Sequence, residues 1–310
     1  MTILRSRPFL TVAIVAAVWI VASFVSRGFG AYGHLRYLVE LAAVIGLVAA
    51  GQTFVVIAGG IDLAVAAIVT VSAVSLPLLS WQADPTGLTA VLAVLALTTT
   101  IGLVNGLGVA LLRVHPMIMT LAMATFLQGL LIIIAGGSAL TAENPLVRWL
   151  GNARPAGIPA GVLLWVAVSV IVLAAMHATS FGARLFAMGA NPLAATLSGV
   201  PFASTTLAVY GISGFTSGLA GVLVLGMNGQ GYVGIGDPYL LASIAAVVLG
   251  GTSILGGLGT YAGTIPGAIL LVTITALITV VNASPGWRSI LFGSLILGLL
   301  LLSGREQARR

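Results

Sequence analysis

Residues 38–81 run for more than forty positions with only two acids, Glu40 and Asp62, and this stretch restricts the fold more than any other part of the chain. A helix that crosses a bilayer takes about 20 mostly apolar residues, so the run holds two crossings. They meet at Gly59-Gly60-Ile61-Asp62-Leu63. The glycine pair weakens helix continuity there, and broken helices at membrane depth are tolerated only where they are buried in protein or line a cavity. Such breaks also point to transport sites. A carboxylate costs about 2.5–3.5 kcal/mol at the centre of a spanning helix, so Asp62 has a function to account for it. The glycine pair either turns the chain at the inner face or breaks a helix inside the membrane, and the depth of Asp62 stays open between these two.

The same pattern recurs along the chain. Apolar stretches fall at about 8–26, 38–58, 61–81, 87–112, 116–136, 159–177, 204–226, 239–256, 262–281 and 289–303, the last below full length. These predict an all-α polytopic membrane protein of about ten transmembrane helices, some broken, in one transmembrane domain over residues 1–310. Only 6% of residues are charged, against roughly 25% in soluble domains. Arg5 and Arg7 ahead of an apolar core resemble a signal peptide, but no small-residue cleavage site precedes Arg27, so the first stretch reads as a retained span.

All 12 basic residues are arginine. Without lysine the chain supplies neither a Walker A lysine nor a Schiff base, and ATP hydrolysis would belong to a separate subunit. The absence of cysteine excludes disulfides and thiolate sites. The arginines form no basic stripe, so the net charge of +6 reads as topology and not as nucleic-acid binding. With both termini cytoplasmic, Arg5, Arg7, Arg113, Arg184, Arg305, Arg309 and Arg310 lie inside, and Arg27, Arg36, Arg148, Arg154 and Arg288 outside. Positive residues favour the inner face. Trp81, Trp149, Trp165 and Trp287 fall near span ends, as in an interfacial aromatic belt.

Small residues four apart, Gly102 with Gly106, Gly214 with Gly218, and Gly259 with Gly263 and Gly267, let helices approach closely. Ordinary internal packing accounts for them. Gly257-Leu258-Gly259-Thr260-Tyr261-Ala262 matches a dinucleotide fingerprint by chance, since no acidic residue stands about 20 positions on. His34, His115 and His177 lie near span ends without metal-ligand spacing, so no metal or other cofactor is expected. Gln52, Asn105, Gln128 and Thr98-Thr99-Thr100 either line a polar path or hydrogen-bond between helices. Asp62 either caps the helix that begins near Leu63 or serves a coupling ion or the path. The acids Asp84, Glu143, Asp237, Glu306 and Glu40 fall at span ends or in loops. No nucleophile–base pair stands at recognisable spacing, so an enzyme is disfavoured. A stand-alone secondary transporter using Asp62 remains the alternative to a passive permease.

Two connections are long: 137–158, placed outside, and 178–203, placed inside. Within the inner one, Asn191-Pro192 followed by Leu193-Ala194-Ala195-Thr196-Leu197-Ser198, then Gly199 and Pro201, predicts a complete short helix, with Asn at the cap, Pro in the first turn and Gly past the end. It is uncharged and more apolar than a solvated linker, which suits docking to a partner or packing on its own bundle.

Several segments together resemble the permease subunit of bacterial ABC importers for monosaccharides of the ribose, xylose, arabinose and galactose type, over about residues 38–303. They are Gly51-Gln52-Thr53 through Gly59-Gly60-Ile61-Asp62-Leu63, Gly102-Leu103-Val104-Asn105-Gly106, Phe181-Gly182-Ala183-Arg184 with Ala187-Met188-Gly189-Ala190-Asn191, Leu197-Ser198-Gly199-Val200, and Ala245-Ala246-Val247-Val248-Leu249-Gly250-Gly251-Thr252-Ser253. The resemblance implies a plasma (inner) membrane protein that forms the path for a sugar. Its partners would be cytoplasmic ATP-binding subunits, an external sugar-binding protein and a second permease subunit, identical or paralogous. Residues 191–199 are similar to the family's coupling segment, with Asn191, Pro192, Leu193, Ala194, Ala195, Leu197 and Gly199 as coupling residues. Path candidates are Gln52, Gly59, Gly60, Asp62, Asn105, Gln128 and Thr252. The chain departs from the family at Leu193, where an acid is common, and at Gln128, where similar permeases often carry arginine.

Overall fold

A computed structural model describes residues 2–25, 28–79, 84, 86–280, 284, 286–287, 289–294 and 297–298. Arg27, Trp81, Arg288, Arg305, Glu306, Arg309 and Arg310, and part of the expected span 289–303, lie outside the described residues. The order is α1 (Thr2–Val25), α2 (Tyr32–Ile57), α3 (Val65–Leu79), α4 (Leu88–Ala110), α5 (Pro116–Ala135), β1 (Leu140–Thr141), α6 (Pro145–Asn152), α7 (Ala160–His177), α8 (Ser180–Ala190), α9 (Pro192–Leu197), α10 (Phe202–Asn228), β2 (Gln230–Gly231), α11 (Pro238–Leu249) and α12 (Tyr261–Val280). Among the described residues, α2, α4, α5, α7, α10 and α12 are long and apolar enough to cross a membrane. The apolar part of α1 at Thr11–Phe24, α3 and α11 are shorter.

Two helices form the centre. In α2 every residue from Ala42 to Ile57 is buried, on all faces of the helix, and α10 is buried almost throughout its second half. A helix that is apolar all round belongs inside a bundle or a bilayer; these two pack against each other, with α3 and α4 against α10 and α7, α11 and α12 against α2. Glycine makes the approach possible. Gly102 lies on the Tyr210 carbonyl of α10, Gly214 on the Thr98 carbonyl of α4, and Gly106 on Leu207. The fourfold-spaced pairs of α4 and α10 thus face each other. Gly263 and Gly267 similarly seat α12 on Gly250 and Ala246.

α5 is different. It buries a single stripe, Thr120, Ala124, Leu127, Leu131 and Ala135, and leaves the rest partly or fully exposed. At the other end of the molecule from α9, β1 and β2 pair antiparallel, Leu140 with Gly231 and Thr141 with Gln230. The connection 137–158 also carries α6, whose Asn144 cap accepts from the Val147 N–H. Gly151 of α6 rests on the backbone of Gly226.

Trp165 corrects an expectation. It is not part of an outward-facing belt but buried in the bundle. Its Nε1 donates to the Tyr261 hydroxyl at 2.8 Å, which donates to the Gly46 carbonyl at 2.8 Å. The indole lies in the slot left by the missing side chain of Gly46, and burial of an indole is favourable once its N–H finds a partner.

Candidate functional site

α2 ends in a closed turn. The Ala58 N–H donates to Phe54 O, Gly59 N–H to Val56 O and Gly60 N–H to Val55 O. Gly59 has φ +86°, a conformation open to glycine. The helix therefore stops at Ile57, and residues 58–64 are non-helical before α3 starts at Val65. The same turn recurs at the end of α11: Gly250 N–H donates to Ala246 O, Gly251 N–H to Val248 O and Thr252 N–H to Val247 O, with Gly251 at φ +87°. Gly59-Gly60 and Gly250-Gly251 thus lie in two copies of one helix stop, and the second ends α11 at Leu249 inside the stretch 239–256 expected as one span.

Asp62 lies fully buried beyond the first stop. One carboxylate oxygen accepts the Ala64 N–H at 2.9 Å and the other accepts the Ser213 hydroxyl of α10 at 2.7 Å. The first bond satisfies a backbone donor immediately before α3. The second ties the break to a helix 151 positions away in the sequence. Thr120 of α5 holds the segment from the far side, accepting the Leu63 N–H at 3.0 Å while its hydroxyl lies 2.9 Å from the Pro116 carbonyl and 3.3 Å from that of Ile61. The Tyr210 hydroxyl closes over Gly60, where a side chain would stand 2.9 Å from it.

Further polar groups are enclosed nearby on these helices. Both side-chain polar atoms of Gln52 and of Asn105, and the hydroxyls of Tyr210, Ser217 and Thr252, are buried without a protein partner among the described residues. Each unsatisfied buried group costs about 1–3 kcal/mol, a cost relieved by water or a polar solute. Tyr210, Ser213 and Ser217 fall at i, i+3 and i+7, so they share one face of α10.

The seven path candidates separate accordingly. Asp62 and Gly60 lie together at the break, Gln52 and Asn105 are fully buried on α2 and α4, and Thr252 is buried in the second stop beside Gly259. Gln128 and Gly59 reach the surface. Gln128 sits mid-way along α5 on its exposed side with Thr125 and Gly129. Ser213, Tyr210 and Thr120 were not singled out from the sequence. For Tyr210 and Ser213 the signal available was a tyrosine and a cluster of hydroxyls inside the apolar stretch 204–226; for Thr120 it was a lone hydroxyl inside the stretch 116–136.

In the connection 178–203, α8 and α9 meet at Asn191, whose backbone ends α8 and whose side chain accepts the Ala194 N–H at 3.0 Å to start α9. The helix closes with Ser198 N–H on Ala194 O and Val200 N–H on Ala195 O. Leu193 and Leu197 are 72% and 81% exposed, whereas Ala195 is 6% exposed and faces the bundle. Two leucines one turn apart thus stand outward on a helix with no charge of its own.

Residues 35–300 match the family described as the branched-chain amino acid transport system / permease component. The chain belongs to this permease family. Similar proteins include the ribose import permease protein RbsC of Escherichia coli K12, 32% identical over 295 residues that cover 93% of this chain and 90% of that protein. RbsC of Bacillus subtilis 168 is also 32% identical, covering 97% and 93% respectively. The L-arabinose transport system permease protein AraH of E. coli K12 is 30% identical, covering 94% and 89%. Family membership makes the bundle a multi-pass membrane permease, and the two helix stops and α9 all lie within the matched residues.

Proposed function

We propose that the chain is the membrane-spanning permease subunit of an ATP-binding-cassette importer and forms the path for a monosaccharide. The observation that carries this reading is the near full-length similarity to permeases named for ribose and arabinose. The exposed Leu193–Leu197 face of α9, on a chain without a lysine for ATP binding, supports it. In the working protein, about ten crossings in a single domain leave both termini in the cytoplasm of a bacterial inner membrane. Residues 191–199 dock onto a cytoplasmic ATP-binding subunit, an external binding protein delivers the sugar, and a second permease subunit completes the path.

The path runs along the exposed side of α5, where Gln128 and Thr125 offer neutral hydrogen-bonding groups to a polyhydroxylated solute. Asp62, Gly60, Gln52, Asn105 and Thr252 act from behind this wall. Asp62 and Gly60 hold the first helix stop, and Gln52, Asn105 and Thr252 contribute to the interior polar side-chain groups that are unpaired among the described residues. An ion-coupled carrier is disfavoured because both oxygens of Asp62 are already engaged by Ala64 and Ser213.

Reconstitution tests the reading. In vesicles, accumulation of labelled ribose, arabinose or galactose should require ATP, the ATP-binding subunit and the binding protein together. Accumulation by the chain alone under a proton or sodium gradient would overturn it.

A further inference from the structure

α8, the stop after α2 and the loop 250–260 meet at one point without any side chain between them. The helix stop leaves the carbonyl of Ile57 outside the α2 ladder, and it accepts the Gly257 N–H at 2.8 Å. Gly189, one residue before the end of α8, lies directly over that bond: a side chain on it would strike the Ile57 carbonyl and stand 2.6 Å from the Gly257 nitrogen. Gly256 approaches the Gly189 carbonyl and Gly59, where a Cβ would stand 2.8 Å and 3.0 Å away. Gly257 packs on Ala190 in the same way: a Cβ on it would stand 2.7 Å from the Ala190 Cα. Asn191, the first residue of the segment 191–199, follows immediately.

We propose that Gly189, Gly256 and Gly257 form a clasp of backbone alone that ties the segment 191–199 to the ends of both broken helices, with Gly189 as the positioning residue through which movement of that segment reaches the Gly59–Asp62 break. Flexible side chains absorb a displacement by changing rotamer. Packed backbone has no such freedom, and a close-packed contact transmits strain because it is nearly incompressible. From the clasp, movement continues through Gly59 to Asp62 and so to Ser213 of α10. The clasp also joins the two helix stops to each other through the Gly257–Ile57 bond, so that α2–α3 and α11–α12 respond together.

This inference rests on the reading of residues 191–199 as the docking segment, and the two fail separately. The assembled transporter, with its ATP-binding subunit and binding protein, is compared with the Gly189→Ala variant. The variant is expected to insert, to retain the ATP-binding subunit at wild-type level and to continue hydrolysing ATP, while uptake of whichever of labelled ribose, arabinose or galactose the wild type accumulates falls at least tenfold. Uptake within twofold of wild type would overturn the clasp, and so would loss of the ATP-binding subunit from the inserted variant. Retention of that subunit by a Leu193→Asp, Leu197→Asp double variant would instead overturn the docking reading. Hydrogen exchange in the wild-type complex gives a readout independent of any variant. The peptide that contains the Gly257 amide is expected to stay protected both without nucleotide and with ATP, and free exchange in either state would show that the clasp does not hold.

Discussion

Asp62 stands where a charge is costly, and its two bonds explain how it persists there. The carboxylate takes one donor from the backbone that starts α3 and one from α10, so both a helix start and a contact between elements depend on it. Asp62→Asn can keep both bonds, because its oxygen still accepts from Ala64 and its amide can donate to the Ser213 hydroxyl. Asp62→Leu leaves the Ala64 N–H and the Ser213 hydroxyl unpaired, a loss of about 1–3 kcal/mol for each buried group. Thermal unfolding in detergent should therefore show a small decrease for the Asn variant and a large one for the Leu variant, with uptake in the same order. Complete and equal loss of uptake in both, at normal expression, would show that the charge itself is required. Trp165 makes the complementary point: an indole that composition assigns to the membrane interface is drawn inward because Gly46 leaves room and Tyr261 supplies an acceptor.

Among the elements, α9 carries the docking test. Leu193 and Leu197 share an exposed face, so replacing both by Asp would set two unpaired carboxylates at the interface with the ATP-binding subunit, a cost of several kcal/mol, roughly 3 or more. The double variant is expected to insert normally and to lose ATPase association and uptake together, as read by co-purification and vesicle uptake. From the sequence, Ala195→Asp looks mild, being on the other side of the helix. The burial of Ala195 changes that expectation: the substitution should spare the outward face but loosen α9 from the bundle, seen as faster proteolysis of the connection 178–203. α4 supplies a pH test. Asp84 accepts the Thr89 hydroxyl and the N–H groups of Thr86, Gly87 and Thr89 ahead of the helix. The Thr89 hydroxyl bond, foremost, holds its carboxyl well below the usual carboxylate range. A depressed folded value means that this contribution is complete above the unfolded carboxylate value of about 3.9 and fades as pH falls below it. The difference in Tm between wild type and Asp84→Ala is expected to be constant from pH 7 to pH 5 and to shrink toward pH 3.

For the whole molecule, the local features of the chain were readable because each depends on a few neighbouring residues. Apolar stretches of bilayer length locate most of the helices: α1–α5, α7 and α10–α12 each overlap one of the nine stretches expected up to residue 281, while α6, α8 and α9 lie in the connections between them. Asn191, Pro192 and Gly199 bracket α9 because a cap, a first-turn proline and a terminating glycine all act within one turn. α8 was not anticipated, since an eleven-residue helix in a connection between longer helices needs no bilayer-length apolar run. The pair Gly59-Gly60 announced a break; the one at Gly250-Gly251, inside the stretch 239–256 expected as a single span, was not anticipated. That both end in the same turn follows from backbone bonds within each segment, but that the first stop meets the loop after the second follows from a hydrogen bond between residues about 200 positions apart, Gly257 N–H to Ile57 O. The partners of Asp62, the slot for Trp165 and the junction over Gly189 are of the same kind. A membrane crossing is imposed by the solvent on each segment separately and can be read segment by segment. Which buried carbonyl, carboxylate or indole meets which donor depends on how the helices pack, and only the folded bundle brings those groups within bonding distance.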